Sequence, residues 1–267
     1  MLNEVLRIIE RNEPISFFLG AGVSIGSSSG SCKGLGTGQD LADYLIAQFG
    51  LSLKTGTPLM TVCDECSFNN ESRFREVLRE YLNDASPQTT HSLLVDIISL
   101  MNEPNDFILT VNVDDLLEHE WREKKGKLLN VAKKSKEIYY GGQKTYLKVH
   151  GCVTDIENAI FTTKDYLNID KDNLIYEKLR ALFAERSIVF IGFSLQDIDI
   201  LKMLYNVRPA NGFLRPHFWV NPKGSNWSDS RARFYSGEFN IRHIEMNAET
   251  FLNEILKCLQ KKKIVKP

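Results

Sequence analysis

Ser16-Phe17-Phe18-Leu19-Gly20-Ala21-Gly22-Val23-Ser24 is the stretch on which the fold turns. Ile15 to Leu19 is a short apolar run after Pro14, with the length and composition of a strand buried on both faces. It stops at Gly20-Ala21-Gly22, where backbone can approach a partner because no β-carbon stands in the way. A buried strand, then small residues, then a hydroxyl is how an α/β protein offers backbone N–H groups to a phosphate. A tight turn with no ligand would read the same in isolation, so the argument rests on what ends the later strands.

Two common nucleotide motifs are excluded. The dinucleotide fingerprint needs a third glycine where this chain has Ile25. Asp40 has the spacing of the fingerprint's acid, yet it opens Asp40-Leu41-Ala42-Asp43-Tyr44-Leu45-Ile46, which reads as the first turn of a helix. The sole Gly-Lys pair, Gly126-Lys127, is followed by Leu128, so no triphosphate-binding loop is present.

The 267 residues suffice for one large core, or one core with a subsidiary lobe. A net charge of −1 gives no global attraction to nucleic acid or anionic membrane. No apolar run approaches the roughly 18 residues of a membrane span, and Met1-Leu2-Asn3-Glu4-Val5 lacks a signal-peptide pattern. Five unevenly spaced cysteines without an export signal fit reduced thiols in a cytoplasmic protein. Cys63-Asp64-Glu65-Cys66 is half of a tetrahedral zinc site. Cys32, Cys152 and Cys258 supply no second close pair, so no metal is expected.

Leu2 to Ile9 keeps a helical period and leads into the first strand. Ser27 to Gly38 is a Gly/Ser-rich loop, long enough to be a lid or disordered. Residues 39–105 read as several helices with no strand between them, an inserted helical lobe. Further buried strands are expected at Phe107–Val111, Tyr146–Val149, Ser187–Ile191 and His217–Val220, with helices from about Leu116 and Asp197. Residues 159–185 look like a strand, a loop and a helix. Basic Arg122 to Lys136 lacks interleaved aromatics, and reads as a solvated helix end and hairpin rather than a nucleic-acid surface. A last helix around Phe251 to Leu259 precedes a basic tail that gives no natural stop, so the chain is expected to be the N-terminal part of a longer one.

Buried strands alternating with helices imply a Rossmann-like α/β fold: a mostly parallel sheet with helices on both faces, here in one domain spanning 1–267 with the lobe inserted at 39–105. In such sheets ligands lie beyond the carboxyl ends of the strands. Those ends carry Gly20-Ala21-Gly22, Asn112-Val113-Asp114, His150-Gly151, Gly192-Phe193-Ser194 and Asn221. Singly, each is ordinary, since an Asn-x-Asp after a strand is usually a helix cap. Together they assemble small residues, amides, a carboxylate and one imidazole in a single topological position.

With these residues in view, the sequence resembles the sirtuins, and more closely the sirtuin-like domains of prokaryotic antiphage defence proteins. Gly20-Ala21-Gly22-Val23-Ser24 resembles the family's G-A-G-x-S loop, Thr110 to Glu118 its T-x-N-x-D-D-L-L-E segment, and Lys148-Val149-His150-Gly151 its K-[LV]-H-G. Phe161 to Tyr166 and Ile191 to Asp197 are similar to two further blocks. The resemblance implies that NAD is the substrate and that Gly20, Ala21, Gly22 and Ser24 cradle its pyrophosphate. It also implies Gly192, Ser194 and Asn221 around the adenosine half, Asp114 facing the nicotinamide amide, and Asn112 and His150 serving the ribose where the glycosidic bond breaks. Deacylating sirtuins carry Gln where this chain has Val111, a G-I-P-D-F-R run where it has Gly34-Leu35-Gly36-Thr37-Gly38-Gln39, and a zinc ribbon. These departures favour an NAD hydrolase releasing nicotinamide and ADP-ribose, the effector of an antiphage system. A deacylase or ADP-ribosyl transferase, or a non-catalytic NAD or ADP-ribose sensor, are the alternatives. Such an effector is expected to work as a homo-oligomer, restrained by a sensor region or partner protein.

Overall fold

Ile15–Leu19 forms the first strand, β1, and lies in the interior of the sheet. The computed structural model describes residues 1–26, 34–101, 107–133, 137, 145–169, 174–195, 197–207, 215–222 and 228–265. Six further strands follow: β2 (Phe107–Thr110), β3 (Asn130–Ala132), β4 (Thr145–Lys148), β5 (Ser187–Ile191), β6 (His217–Asn221) and β7 (Ile241–Glu245). They form one parallel seven-stranded sheet in the order β3-β4-β2-β1-β5-β6-β7. The order reverses at β1, which pairs with β2 on one side and β5 on the other. That reversal opens a crevice at the carboxyl ends of β1 and β5.

Because side chains alternate across a strand, each strand feeds two cores. Phe17, Leu19, Ile108, Val189, Ile191, Phe218 and Val220 face one layer of helices. That layer is α1 (Leu2–Glu10), α4 (Thr89–Leu100), α5 (Leu116–Lys125) and α10 (Ala248–Val265). Phe18, Leu109, Leu147, Ile188, Phe190 and Trp219 face the opposite layer, α7 (Leu174–Glu185), α8 (Ile198–Asn206) and α9 (Asp229–Phe239). Burial on both faces explains why β1, β2, β5 and β6 read as mostly apolar runs.

A third core lies over the carboxyl ends of β2 and β4. Here α2 (Gly38–Phe49) and α3 (Leu59–Asn83) pack on Val113, Leu116, Val153, Ile156 and Ala159. The sequence-based lobe of 39–105 was too generous at its end, because Leu94, Val95, Ile97 and Ile98 of α4 belong to the sheet's own core. Thr37 caps α2 through a reciprocal pair with Asp40, the helical role read for that acid. Helix α3 breaks at Asn70, whose φ of −164° and ψ of 97° are extended, and whose side chain accepts from Arg73 N to start the second arm. The first arm grips Thr163 through Asp64. The second carries buried Arg75, which donates to the carbonyls of Ile156 and Ala159 and to both oxygens of Asp165. Asp64 and Arg75 thereby fasten the lobe to the segment after β4, including α6 (Thr163–Leu167).

The strand expected at the start of 159–185 does not form. Arg75 takes the Ala159 carbonyl and Ile160 N donates to His150 O, and the chain turns into α6. The hairpin read within 122–136 is instead the parallel edge strand β3, within its described part. Helix α9 and β7 also went unread.

Burial holds the imidazoles of His91, His150 and His217 neutral, and pushes His217 down to about 3. His217 Nδ1 accepts from Ile188 N at 3.1 Å. Each folded-state pKa lies below that of the free side chain, so the unfolded chain takes up the proton first. This contribution to stability is complete above about pH 6.5 and is lost as the pH falls, down to about 3 for His217. Urea midpoints are expected to decline across that window, with the slope flattening most in His217→Asn, which keeps an acceptor for Ile188 N. An unaltered slope in that variant would assign the dependence to other groups.

Candidate active site

A cleft of about 270 Å³ opens beyond β1, β2 and β4, under α2 and α3. Ala21, Ser24, Asn112, Asp114 and His150 line its floor, and Leu41, Leu59, Tyr81, Phe161 and Tyr166 contribute apolar walls. Four of the predicted residues, Ser24, Asn112, Asp114 and His150, are buried there together.

Three of them form one hydrogen-bonded unit. Thr110 Oγ1 accepts from Asn112 N at 2.9 Å and donates to Leu19 O at 3.1 Å, fixing the exit of β2 against β1. Asn112 Nδ2 donates to Gly20 O at 3.1 Å and to Ser24 Oγ at 3.3 Å. Its carbonyl oxygen is therefore the end left to accept from a ligand. Ser24 Oγ donates to Asp114 Oδ2 at 3.1 Å, while Asp114 Oδ1 accepts from Leu116 N, the first residue of α5, at 3.3 Å. Behind Ser24 lies His91, which the sequence reading passed over. Its Nδ1 accepts from Gln88 N at 2.9 Å, so the neutral ring carries its proton on Nε2 and directs it at Ser24 Oγ, 3.3 Å away. The available signal was Gln88-x-x-His91, spaced as a reciprocal helix cap.

Asp114 is held from the other side by Lys148. This lysine is fully buried; Nζ donates to the Asp114 backbone carbonyl and to Glu118 Oε1, the latter at 3.0 Å. Burial works against its charge, and the attraction of Glu118 prevails, so its pKa ends above the ordinary lysine value. The Lys in K-[LV]-H-G and the Glu ending T-x-N-x-D-D-L-L-E thus meet as one ion pair.

The glycines have a role that the sequence reading did not assign. Gly22 N donates to Gly192 O at 2.8 Å, and Gly20 N to Ile191 O at 3.0 Å. A β-carbon on Gly22 would stand 2.7 Å from Gly192 Cα, and one on Gly192, where φ is +63°, would stand 2.6 Å from Val23 N. Their smallness is demanded first by the contact between the two loops at the β1–β5 crevice. Ala21–Val23 makes a single 3-10 turn there, in place of the long helix of a dinucleotide fingerprint.

Gly192, Ser194 and Asn221 stand at the ends of β5 and β6, on the far side of that contact from the cleft, with Ser194 exposed. Trp219 Nε1 donates to Phe193 O and Tyr235 OH to Leu195 O, both at 2.6 Å, which pins the loop carrying Ser194. His150 lies on the cleft side with its ring edge-on to Tyr166, centroids 5.4 Å apart. Cys63 and Cys66 are buried free thiols in α3; burial raises both, Cys66 to about 11. Ser27 to Lys33 of the expected lid, with Cys32, lie outside the described residues. Leu35 to Gly38 of that loop line the cleft.

A family model described as "SIR2-like domain" matches residues 106–244. The chain is 25% identical over 277 residues to "NAD(+) hydrolase ThsA" of Enterococcus faecium, covering 92% of this chain and 55% of that protein. It is 30% identical over 156 residues to "Defense-associated sirtuin 2" of Bacillus subtilis, covering 55% of this chain and 15% of the other. It therefore spans about half of the first relative and a small part of the second. Among solved structures, a mutant Sir2 homologue in complex with ADP-ribose aligns with a TM-score of 0.55 at 13% identity over 100% of both chains. A SIR2 homologue in complex with NAD aligns with a TM-score of 0.52 at 13% identity over 97% and 94%. At that identity the likeness is one of fold.

Proposed function

We propose, from the premise that this chain belongs to the SIR2-like domain family, that it hydrolyses NAD to nicotinamide and ADP-ribose. The observation that carries the reading is the convergence of Ser24, Asn112, Asp114 and His150 from three strands on one cleft. The name of the Enterococcus faecium relative, an NAD(+) hydrolase, supports the same reaction. The pyrophosphate would lie over Gly20, Ala21, Gly22 and Ser24 at the β1–β5 crevice, with the nicotinamide half toward the cleft. The adenosine half would extend past Gly192 and Ser194 toward Asn221.

In the reaction the bond from ribose C1′ to the nicotinamide nitrogen breaks, and its electron pair leaves with the neutral ring. Positive charge develops on the ribose, water adds to C1′, and the proton it sheds passes to His150. Each Asp114 oxygen retains an acceptor site for the nicotinamide amide. The Asn112 carbonyl oxygen would hold a ribose hydroxyl or the water. His150, kept neutral at physiological pH by burial, is in the form a general base requires. None of these steps uses a metal.

The name of the Bacillus subtilis relative, a defence-associated sirtuin, also supports a defence role, antiphage in the type the sequence resembles. An enzyme that consumes its host's NAD must be restrained, and we assign that restraint to self-association, or to a sensor region or partner protein. Light scattering beside the NAD assay reads this directly: full specific activity in a strict monomer would overturn it. The reaction itself is tested by incubating the protein with NAD, with and without an acylated peptide. Free ADP-ribose in both is the expected product. Acyl-ADP-ribose with the peptide alone would mean a deacylase, and binding without turnover a sensor.

A further inference from the structure

The proposed mechanism leaves one nitrogen of His150 unexplained. Nε2 is buried and has no hydrogen-bond partner among the described residues, whereas buried polar atoms are nearly always paired. Facing it is Oδ2 of Asp197, 3.7 Å away, just beyond a hydrogen bond and within ion-pair reach. The carboxylate is anchored by its other oxygen. Oδ1 accepts from Asp199 N at 3.1 Å and Ile200 N at 3.2 Å, capping α8. One oxygen therefore holds the helix and the other is presented to the imidazole.

The remaining surroundings of His150 do not compete for this role. Tyr166 packs against it ring to ring in a T-shaped pair, and burial keeps that phenol protonated. Asp114 lines the same cleft with its oxygens turned to Ser24 and Leu116. Lys148, two residues earlier in the chain, is engaged by Glu118.

We propose that Asp197 is a positioning residue for His150, accepting the Nε2 proton and leaving the Nδ1 lone pair toward the ribose. This rests on the reading of His150 as the base. A neutral imidazole has one donor nitrogen and one acceptor, so committing Nε2–H to a carboxylate fixes which nitrogen takes the proton from water. When Nδ1 takes it, the imidazolium keeps Nε2–H on Asp197, whose negative charge stabilises the cation without itself being protonated. Catalytic hydrogen bonds are commonly longer before substrate binds than in the reacting complex, and a short movement of ring or carboxylate closes the 3.7 Å gap.

Asp197→Asn removes the charge and keeps an oxygen for the α8 cap, and Asp197→Ser does the same with a different cap. In the full-length protein both are expected to bind NAD with near wild-type affinity and to hydrolyse it roughly 10²-fold more slowly. The pH profile supplies a readout that a purely structural role would not move. Burial lowers the His150 pKa and Asp197 opposes that, so without the carboxylate the acid limb of kcat/KM should shift to lower pH. The His150 imidazole, followed by NMR titration, should shift the same way without any turnover, and Asp197→Glu should restore part of the rate. Wild-type rate and an unmoved acid limb in Asp197→Asn, or an unmoved NMR titration in a folded Asp197→Ser, would overturn the proposal. If His150→Ala itself hydrolyses NAD normally, what falls is the assignment of His150 as base, a separate result.

Discussion

Replacing His150 with alanine is expected to lower NAD hydrolysis by roughly 10²–10⁴-fold, the usual contribution of a positioned general base, with NAD affinity close to that of the wild type. Among the described residues the imidazole makes no hydrogen bond to the Gly20 to Ser24 loop, so truncating it leaves that backbone and the Ser24–Asp114 pair in place. Asn112→Ala should also abolish turnover but cannot separate binding from chemistry so cleanly. Its amide satisfies Gly20 O and Ser24 Oγ, and removing it frees the loop over which the pyrophosphate would lie. Calorimetry beside the rate measurement distinguishes the two variants. Wild-type hydrolysis in both would mean that the active site lies elsewhere.

Gly22→Val should lose NAD binding altogether. The first atom of the new side chain would stand 2.7 Å from Gly192 Cα and 2.8 Å from Gly192 O, both backbone, so no rotamer relieves the clash. The β1 and β5 loops must separate, and the crevice between them loses its shape. Overpacking of this kind typically costs about 1–3 kcal/mol, and the thermal midpoint should fall with the affinity. Gly22→Ala meets the same atoms and should show the same losses in lesser degree. A stable, fully binding Gly22→Val would contradict the close packing of the two loops.

The sheet was legible because strands buried on both faces leave mostly apolar runs, as in β2, β5 and β6; β1 is interrupted only by Ser16, while β4 carries just Tyr146 and Leu147 between Thr145 and Lys148. The two edge strands were not. Asn130–Ala132 is too short for a pattern, and Ile241–Glu245 interleaves Arg242, His243 and Glu245 with its apolar residues, as an outer strand can. Ser24, Asn112, Asp114 and His150 were readable because each ends or follows a strand. Arg75 was invisible for the converse reason, since it lies within a helix and acts on chain far away in sequence; His91 left only the spacing of a helix cap, which says nothing of its contact with Ser24. Asp197 was read as the start of a helix, which it is; that its second oxygen turns to His150 depends on the placement of β4 and β5 in space. The glycines stood out as positions that must stay small, but the demand of the neighbouring loop could not be read, because a ligand and a packed loop leave the same mark on sequence.

The central position of β1 has a consequence for the newborn chain. Phe17 pairs with Ile108 on one side and with Val189 on the other. At a synthesis rate of about 5–20 residues per second, the second neighbour emerges from the ribosome roughly 10–35 seconds after β1 does. Throughout that interval a five-residue run destined for complete burial has a bare edge and no closing partner. Parallel pairings over such distances pay their loop-closure entropy before any contact rewards it. The segment that organises the finished molecule is thus the one most in need of a chaperone while the molecule is being made. Chains interrupted before Ser187 should be captured by holdases through Ile15–Leu19.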